Sequence, residues 1–363
     1  MLQKEPRKTR LRLFFSKDKT DVTSDISGDL LSWSYVDRET GQADEISLLL
    51  KDPSGRWSQS WRPDGGEVIR MYIAAGSFTK SSPELFCGTF YVDSVRLSGS
   101  PRVVEIRATS IPLNTPLRRL AKSRAWENRK LSEIAQTLTS AANLALIFDA
   151  NDDPAYDRVD QDKESDLAFL KRLAEGAGLS LKVTDEQLVI FSQEQYEAKE
   201  SVALFKLGTS EILNYEFEIS QSDTYGAVTV EWRDPKQKKK GGAASYNFNL
   251  EKVETKRTNP AVMSYTYRDP EANENDQTYK IRKRATSLSE AKRLAKAKLR
   301  ELNCKRMTGS LTVVGNPALI AGEVITCSGF GHFDGNFLIE EASHNGGSGY
   351  TTVLRLRRVN KHY

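Results

Sequence analysis

A short pattern occurs twice in this chain, and it limits the possible fold more than any other feature. The first copy is residues 88–92, Gly-Thr-Phe-Tyr-Val, with a return segment at 104–107, Val-Glu-Ile-Arg. The second copy is residues 335–339, Gly-Asn-Phe-Leu-Ile, with a return segment at 354–357, Leu-Arg-Leu-Arg. Apolar residues at alternate positions predict half-buried antiparallel strands, because successive side chains of a strand face opposite sides of the sheet. The repeat predicts two related β modules, and the alternative is chance, since β-hairpins share composition.

The bulk composition describes a folded, water-soluble protein of more than one domain. The chain has 363 residues, so two or three domains are expected. No apolar run approaches the length of a membrane span, and the basic residues 1–8 are not followed by the apolar segment of a secretion signal. Cys87, Cys304 and Cys327 form no CxxC pair, which favours reduced, packed thiols and assembly in a reducing cytoplasm.

The net charge of +4 is unevenly distributed. Residues 233–306 contain 20 Lys and Arg against 9 Asp and Glu, an excess of 11, so the rest of the chain has a net charge of −7. Such polarity indicates a charged interface or a nucleic-acid contact. The alternative, which we favour, is a solvated loop together with one charged helix face.

Residues 1–112 are predicted to form a first β domain. Alternation in 29–37 and an apolar run in 43–50 predict two strands, and a third is predicted at 68–73, before the first copy of the repeat. The residues Asp-Pro-Ser-Gly at 52–55 predict the turn that ends the second strand.

Residues 113–195 are predicted to form a small α+β domain. Apolar spacing at 131–138 predicts one helix, and a second is predicted at 166–176, with Ser165 as its N-cap. Alternation on both sides of an Asp-Glu turn predicts a closing hairpin at 179–190.

Residues 196–363 are predicted to form a second β domain, with an inserted helix at 287–303 and a basic loop at 234–242. Two strand patterns at 212–219 and 226–232 are predicted to pair with each other.

The rest of this third domain is predicted to contain a loop, a capped helix start and a β meander. The polar stretch 247–276 is interpreted as loop or poorly ordered strand, and Ser287 with Glu290 forms a capping box. Residues 334–335, Asp-Gly, are a strong hairpin signal within the meander. The meander strands are predicted at 307–314, 323–328, 336–342 and 350–358.

The sequence contains no recognisable catalytic constellation. His332, His344 and His362 form neither HxxxH nor HExxH, so no metal site is predicted. Residues 346–350 fail GxSxG because Tyr holds the last position, and residues 329–335 fail GxGxxG by one residue. We therefore predict no catalytic, cofactor-binding or metal-binding residues, and no enzyme activity.

Two charged stretches are weak candidates for ligand binding. The acidic stretch 149–166 has Pro154 and lacks the Gly of an EF-hand loop, so a solvated loop is the default interpretation and calcium the alternative. The basic segments 236–240 and 280–284 are suited to phosphate contacts, but aromatic residues near them are sparse, so specific nucleic-acid recognition is not predicted.

One stretch carries a specific resemblance: residues 164–181, Glu-Ser-Asp-Leu-Ala-Phe-Leu-Lys-Arg-Leu-Ala-Glu-Gly-Ala-Gly-Leu-Ser-Leu. It is similar to the phage late control protein D (tail protein D) family, the baseplate hub proteins of contractile tails. The resemblance covers most of the chain, whereas the basic loop 236–242 and the acidic stretch 149–166 are specific to this sequence. Supporting stretches are residues 43–46, 52–56, 337–344 and 349–352.

The resemblance implies an α+β, mainly β fold, in which both β domains are tube-like antiparallel β-barrels and the small α+β domain lies between them. It implies a homotrimer in the tail baseplate of a virion assembled in the host cytoplasm. The trimer would join the central spike below to the six-fold tail tube, or tube-initiator ring, above. Three chains with two similar barrels each would present six similar sites. A contact with the tape-measure protein and transient passage of DNA are further expectations, and no cofactor or membrane insertion is expected.

Two alternatives come from other functional classes. The first is the hub of a type VI secretion or bacteriocin spike that carries effectors; the sequence ends at Tyr363 without a fused needle, so any spike would be a separate protein. The second is a cell-wall hydrolase acting during injection, which would produce clearing on a zymogram of bacterial cell walls.

Overall fold

The computed structural model is mainly β, and it describes most of the chain. No helix in this described part is long and apolar enough to cross a membrane. The described residues are 8–15, 20–40, 42–76, 84–111, 116–184, 186–220, 224–232, 247–248, 251–252, 263–270, 272, 276–285 and 287–359.

The first β module is built from seven strands and one short helix. Its strands are all antiparallel, in the order β3-β4-β7-β6-β5-β1-β2. Its elements are β1 (Lys8–Phe15), β2 (Thr20–Asp21), α1 (Thr23–Ser27), β3 (Leu30–Arg38), β4 (Glu45–Lys51), β5 (Val68–Gly76), β6 (Glu84–Ser98) and β7 (Val103–Thr109). In β4, Ile46, Leu48 and Leu50 are fully buried while the residues between them are not. The strands predicted in this region are confirmed.

The small α+β unit follows and has its own apolar core. Its elements are α2 (Pro116–Arg119), β8 (Ala121–Lys130), α3 (Leu131–Ala141), β9 (Ala145–Asp149), β10 (Ala155–Ser165), α4 (Asp166–Gly176), β11 (Ser180–Val183), β12 (Gln187–Phe191) and α5 (Gln193–Glu197). Strands β8 and β10 form an exposed two-stranded ladder, and the three-stranded sheet has the order β11-β12-β9. Both predicted helices and the closing hairpin are confirmed, and Ser165 Oγ accepts the N–H of Ala168 at 3.2 Å as the predicted N-cap.

The chain then starts a second β module and leaves it for a further insert. The elements are β13 (Ala203–Lys206), β14 (Ile212–Ile219), β15 (Ala227–Trp232), β16 (Asn247–Phe248), β17 (Glu251–Lys252), β18 (Met263–Arg268), β19 (Thr278–Ala285) and α6 (Leu288–Asn303). Strands β15 to β19 form a separate sheet, and α6 packs its Ala291, Ala295 and Leu299 against Val228 and Val230 of that sheet.

One detail of the sequence interpretation is corrected in this insert. The predicted pairing of 212–219 with 226–232 is wrong, because β14 pairs with a later strand, at 307–314, and β15 pairs with β18 and β19. The segment 247–276, interpreted as loop or poorly ordered strand, contains β16, β17 and β18. Local alternation identifies a strand but not its partner, which lies more than 30 residues away in both cases. The basic loop 234–242 lies outside the described residues.

The final four strands complete the second module. They are β20 (Met307–Val314), β21 (Val324–Ser328), β22 (Gly335–Gly346) and β23 (Tyr350–Arg358), and they confirm the four predicted strands. The predicted four-stranded meander is wrong in one pairing: β21, β22 and β23 are consecutive neighbours, but β20 pairs with β23 and not with β21. The second module has the strand order β14-β20-β23-β22-β21-β13.

The two modules share one strand order. Six strands of the first module, in the order β3-β4-β7-β6-β5-β1, correspond to β14-β20-β23-β22-β21-β13 of the second, and β2 is an addition to the first module. They differ at the last strand, because β1 runs antiparallel to β5 whereas β13 runs parallel to β21. Within the described residues no pairing closes either set of six strands into a ring.

The repeated glycines occupy equivalent backbone positions. Gly88 has φ +126° and Gly335 has φ +134°, a region that side chains disfavour. Phe90 and Phe337, two residues later, are both fully buried. The structure therefore confirms that the sequence repeat marks corresponding strands.

Two β-bulges also recur at equivalent positions. The register of β6 against β7 shifts after Val92, four residues beyond Gly88, and the register of β22 against β23 shifts after Ile339, four residues beyond Gly335. A second pair of shifts lies between Leu30 and Ser32 in β3 and between Ile212 and Asn214 in β14. Because a bulge is a specific local feature, its recurrence is stronger support for duplication than composition is.

The return strands match with a different offset from the one in the sequence repeat. Ile106 lies opposite Val95, and Leu354 lies opposite Ala342, which occupies the position equivalent to Val95. Ile106 therefore corresponds to Leu354, whereas the sequence pattern had predicted that it corresponds to Leu356. A shift of two residues leaves a period-two pattern unchanged, so the sequence could not reveal it.

Candidate functional site: the seam between the two β modules

Strands β3 and β22 join the two modules into one continuous sheet. Residues 33–38 of β3 lie antiparallel to residues 341–346 of β22, and we call this pairing the seam. At one end the Arg38 Nε donates to Glu341 Oε2 at 3.0 Å. At the other end Gly346 faces Trp33, and a Cβ on Gly346 would lie 2.1 Å from Trp33 Cε2. Only glycine therefore fits beneath this indole.

His344 is enclosed at the centre of the seam. Its ring stacks on Tyr35 with centroids 5.7 Å apart, and it is fully buried. The Nε2 lies 3.1 Å from the carbonyl oxygen of Leu319, and the Nδ1 lies 2.8 Å from the hydroxyl of Tyr350. A carbonyl only accepts, so Nε2 carries the proton and Nδ1 accepts from Tyr350. Burial lowers the pKa of His344 to about 4, which keeps the ring neutral.

A partly buried cation from the small α+β unit reaches the seam. Lys182 Nζ on β11 lies 2.7 Å from Asp37 Oδ1 and 3.4 Å from Asp44 Oδ2. The other oxygen of Asp37 accepts the N–H of Ala321, in the second module, at 2.9 Å. Asp37 therefore connects three parts of the chain. Burial raises the pKa of Asp44 to about 6, with Asp37 adding to the effect and Lys182 opposing it.

A second buried charge cluster lies where the seam meets both inserts. Glu197 Oε1, at the end of α5, accepts from Arg300 of α6 at 2.6 Å and from Arg357 of β23. Arg357 Nε also lies 3.3 Å from Glu340. Burial raises the pKa of the nearby Glu39 to about 7, against the opposing charge of Arg357. Glu197, Arg300 and Arg357 are buried, so removal of one partner would leave a buried charge without compensation and destabilise this junction.

The sequence did not single out these residues, although one signal was present. Trp33, Tyr35 and Asp37 follow one another at period two, so Asp37 lies on the face that is otherwise apolar. A charged residue at a core position indicates a buried partner.

The other segments tested in the sequence have structural roles. In the stretch 149–166, Asp153 Oδ2 accepts from Ser132 at 2.7 Å, Glu164 pairs with Arg172, and Asp166 pairs with Lys122. In the described part of the chain, no group of three or more His, Cys, Asp or Glu side chains is placed to hold a metal ion.

The cysteines and the described basic residues form no further candidate site. Cys87, Cys304 and Cys327 carry free thiols, and Cys87 and Cys327 are buried. Lys280 and Arg282 lie exposed on β19, and the basic residues of 236–240 lie outside the described part.

Comparison with known proteins identifies the class. The phage tail baseplate hub (GPD) family matches residues 77–350, about three-quarters of the chain. The chain belongs to this family. It is a baseplate hub, located in the tail baseplate of the virion, and a hub contacts both tail and spike.

Individual relatives agree with this assignment. A probable baseplate hub protein of Escherichia phage 186 is 26% identical over 357 residues, covering 93% of this chain and 90% of the relative. The 43 kDa tail protein of prophage MuSo2 from Shewanella oneidensis has the same fold, with a TM-score of 0.69 at 14% identity over 97% of this chain and 98% of that one. An Escherichia coli component of the type VI secretion system has a TM-score of 0.53 at 13% identity, covering 92% of this chain and 75% of that one.

Proposed function

We propose that this hub is a homotrimer in which the two β modules of each chain alternate around a ring. Three chains would then present six similar modules to the six-fold tail tube, and three chain-specific positions to the central spike. The observation that supports this proposal is the shared strand order of the two modules, with recurrent bulges and glycines.

The proposed division of labour follows the chain. Residues 1–112 and 196–363 would supply the two barrel-like domains, and residues 113–195 the small α+β domain. Strands β15 to β19 and α6 form their own sheet and core as an insert in the second barrel-like domain, and the basic surface of this insert would be available for contacts at three of the six positions. Tape-measure protein and passing DNA are the candidate occupants of the ring's interior.

We also infer that the hub works by binding and not by catalysis. Three titratable groups with perturbed pKa values, His344, Asp44 and Glu39, are buried in the seam and its charge clusters. A zymogram on bacterial cell walls is expected to show no clearing. Clearing by the pure protein would contradict this inference.

A type VI or bacteriocin hub is the alternative, because the fold is shared with a type VI component. The sequence relatives instead favour a phage tail.

The test is the mass and symmetry of the assembled protein. Native mass spectrometry should give three times the 40.7 kDa of one chain, either for the purified protein or for the hub released from tail baseplates. Class averages should show three-fold symmetry with a central channel. A hub that remains a single chain within the baseplate would overturn the proposal.

A further inference from the structure

Lys182 contacts two acidic side chains that are enclosed where three parts of the chain meet. Its Nζ lies 2.7 Å from Asp37 Oδ1 and 3.4 Å from Asp44 Oδ2. Asp37 is 4% exposed and Asp44 is 6% exposed, while the Lys182 side chain keeps 23% of its surface exposed. One amine and two carboxyl groups therefore share a site that is largely closed to water.

This group of charges is costly to maintain. Each ion loses hydration on burial, and one ammonium cannot neutralise two carboxylates. Burial raises the pKa of Asp44 to about 6 against the opposing charge of Lys182, and Asp37 adds to the rise. Burial alone would lower the pKa of Lys182, but the charges of Asp37 and Asp44 raise it instead. Conversion of Lys182 and Asp37 into one neutral amide would remove two of the three charges.

The contacts of Asp37 suit attack of the amine on its carboxyl carbon. A carbon–oxygen bond adds about 1.2 Å to the Nζ–Oδ1 distance, so Lys182 Nζ lies no more than about 4 Å from that carbon. Reacting atoms in a productive arrangement are about 3–3.5 Å apart, so a small movement is sufficient. Asp37 Oδ2 accepts the backbone N–H of Ala321 at 2.9 Å, and this donor would stabilise the negative charge that develops on Oδ2.

We propose that Lys182 Nζ and Asp37 Cγ form an intramolecular isopeptide bond with release of water, and that Asp44 carries the proton in this step. The bond would join β3 of the first module to β11 of the small α+β unit. The reaction is a condensation, so it needs no oxidant, reductant or further reactant. It goes beyond the proposed trimer and does not depend on it.

The steps balance in atoms and in charge. The Lys182 ammonium first gives a proton to Asp37 Oδ1, which leaves a neutral amine and a carboxylic acid. The nitrogen lone pair forms the bond to Cγ, and the C=O π pair moves onto Oδ2, beside the N–H of Ala321. Asp44 then takes a proton from the nitrogen and returns it to the Oδ1 hydroxyl, which leaves as water while the pair on Oδ2 restores C=O. A carboxyl whose pKa lies near the working pH suits both halves of this transfer.

The intact mass of the folded protein, measured after denaturation, tests the bond. Most chains should weigh one water molecule less than the sequence. Protein recovered unfolded from inclusion bodies should have the full mass and should lose water only on refolding, because the folded chain brings the reacting groups together. Folded chains of full mass would hold an ion pair only, and this result would overturn the proposal.

The position of the water loss distinguishes this bond from other dehydrations. Digestion should release one branched peptide that joins the segments containing Lys182 and Asp37. Asp-Gly pairs also lose water, by forming cyclic imides, and the chain has such pairs at residues 64–65 and 334–335. A loss confined to either Asp-Gly pair, or a link from Lys182 to Asp44, would contradict the proposed bond.

Two variants test the roles of the reacting groups. Lys182→Arg keeps a cation beside both carboxylates but removes the amine, so the chain should keep its full mass. Asp44→Asn keeps the shape of the proton carrier, and it should form the bond at least about tenfold more slowly than the parent chain. Thermal unfolding shows whether each variant folds, and the mass of the parent chain decides the proposal if either does not. An Asp44→Asn chain that loses water at the parent rate would overturn the role of Asp44.

A second ion pair of the same chain is the matched control. Lys122 Nζ lies 2.5 Å from Asp166 Oδ2, but the Lys122 side chain is 43% exposed. Water then stabilises the ammonium and opposes condensation. The digest should therefore contain no branched peptide that joins Lys122 to Asp166.

Discussion

The two β modules have the same strand order, but they differ in the connection between the first two strands of that order, β3–β4 in one module and β14–β20 in the other. In the first module, β3 is joined to β4 by residues 39–44, a short link. In the second, the equivalent connection from β14 to β20 is residues 220–306, which contains a five-stranded sheet and α6. The flanking strands pair in the same way in both, including the bulge in the first strand of each. A connection on the rim of a β module therefore accepts a whole insert without changing the module, since the cost of a longer closed loop rises slowly with its length.

The difference also explains why the modules have different contacts. In the second module, Arg357 pairs with Glu197 of the small α+β unit, and the same carboxylate also pairs with Arg300 of the insert. The two modules therefore have similar sheets but different buried charged residues. The same substitution made at matched positions of the two modules tests whether a property belongs to the shared sheet or to one module alone.

The largest expected effect concerns the shared core. Phe90→Ala and Phe337→Ala should each lower the free energy of unfolding by about 4 kcal/mol, because both rings are fully buried at equivalent positions. Urea denaturation of each variant measures the loss. Leu97→Ala, at an exposed position, should cost much less in the isolated chain. Losses that differ several-fold between the two phenylalanines would break the equivalence of the modules.

A slightly smaller effect concerns Glu39 and depends on pH. Burial raises the pKa of Glu39 from 4.5 to about 7, so the folded chain holds a proton that the unfolded chain releases in this range. Its contribution to stability is therefore full below pH 4.5 and is lost as the pH rises through 7. Glu39→Gln removes this loss and keeps an acceptor for Gln193, whose Nε2 lies 3.3 Å from Glu39 Oε1. We expect it to be about 3 kcal/mol more stable than the parent near pH 8, with no difference near pH 4.

Thermal unfolding across this pH range measures the difference. Asp64→Asn, at an exposed carboxylate, is the control and should show no such pH dependence. His344 acts in the opposite direction, because its pKa is lowered from 6.5 to about 4 and its contribution is lost as the pH falls through that range. A Glu39→Gln variant that is less stable at high pH would show that the charge pair with Arg357 dominates.

The smallest effect concerns the glycine at the end of the seam. Gly346→Ala should destabilise the folded chain by about 2 kcal/mol, because the new methyl group would overlap the ring of Trp33. Gly99→Ala, at the matched position of the first module, should change the stability little, because beyond its chain neighbours no atom lies within 3.7 Å of a Cβ built on Gly99. Equal effects of the two substitutions in urea denaturation would contradict the close packing of Gly346 against Trp33.

Local sequence patterns predicted the individual elements better than their partners. Period two located β4 and β22, and Ser165 located the start of α4, because these signals depend on neighbouring residues. The pairing of β14 with β20 and the seam itself involve residues about 90 to 300 positions apart, and no local pattern specifies them.

The charged residues of the site were harder still to predict. Arg357 lies out of phase with the buried Leu354 and Leu356, as a surface residue would, and only the packing of the chain segments around it shows that it is buried. Asp37 is in phase with Trp33 and Tyr35, which indicates burial but does not identify Lys182 and Ala321 as its partners. The family resemblance supplied the hub assignment, which composition and spacing alone had not given.

The central claim is that the two modules of each chain are alternating members of one ring. A cryo-electron microscopy map of the assembled baseplate tests it most directly. The account predicts six β modules at one radius around a central channel, with β22 beside β3 within each chain. A map in which only one module of each chain lines the channel would contradict it.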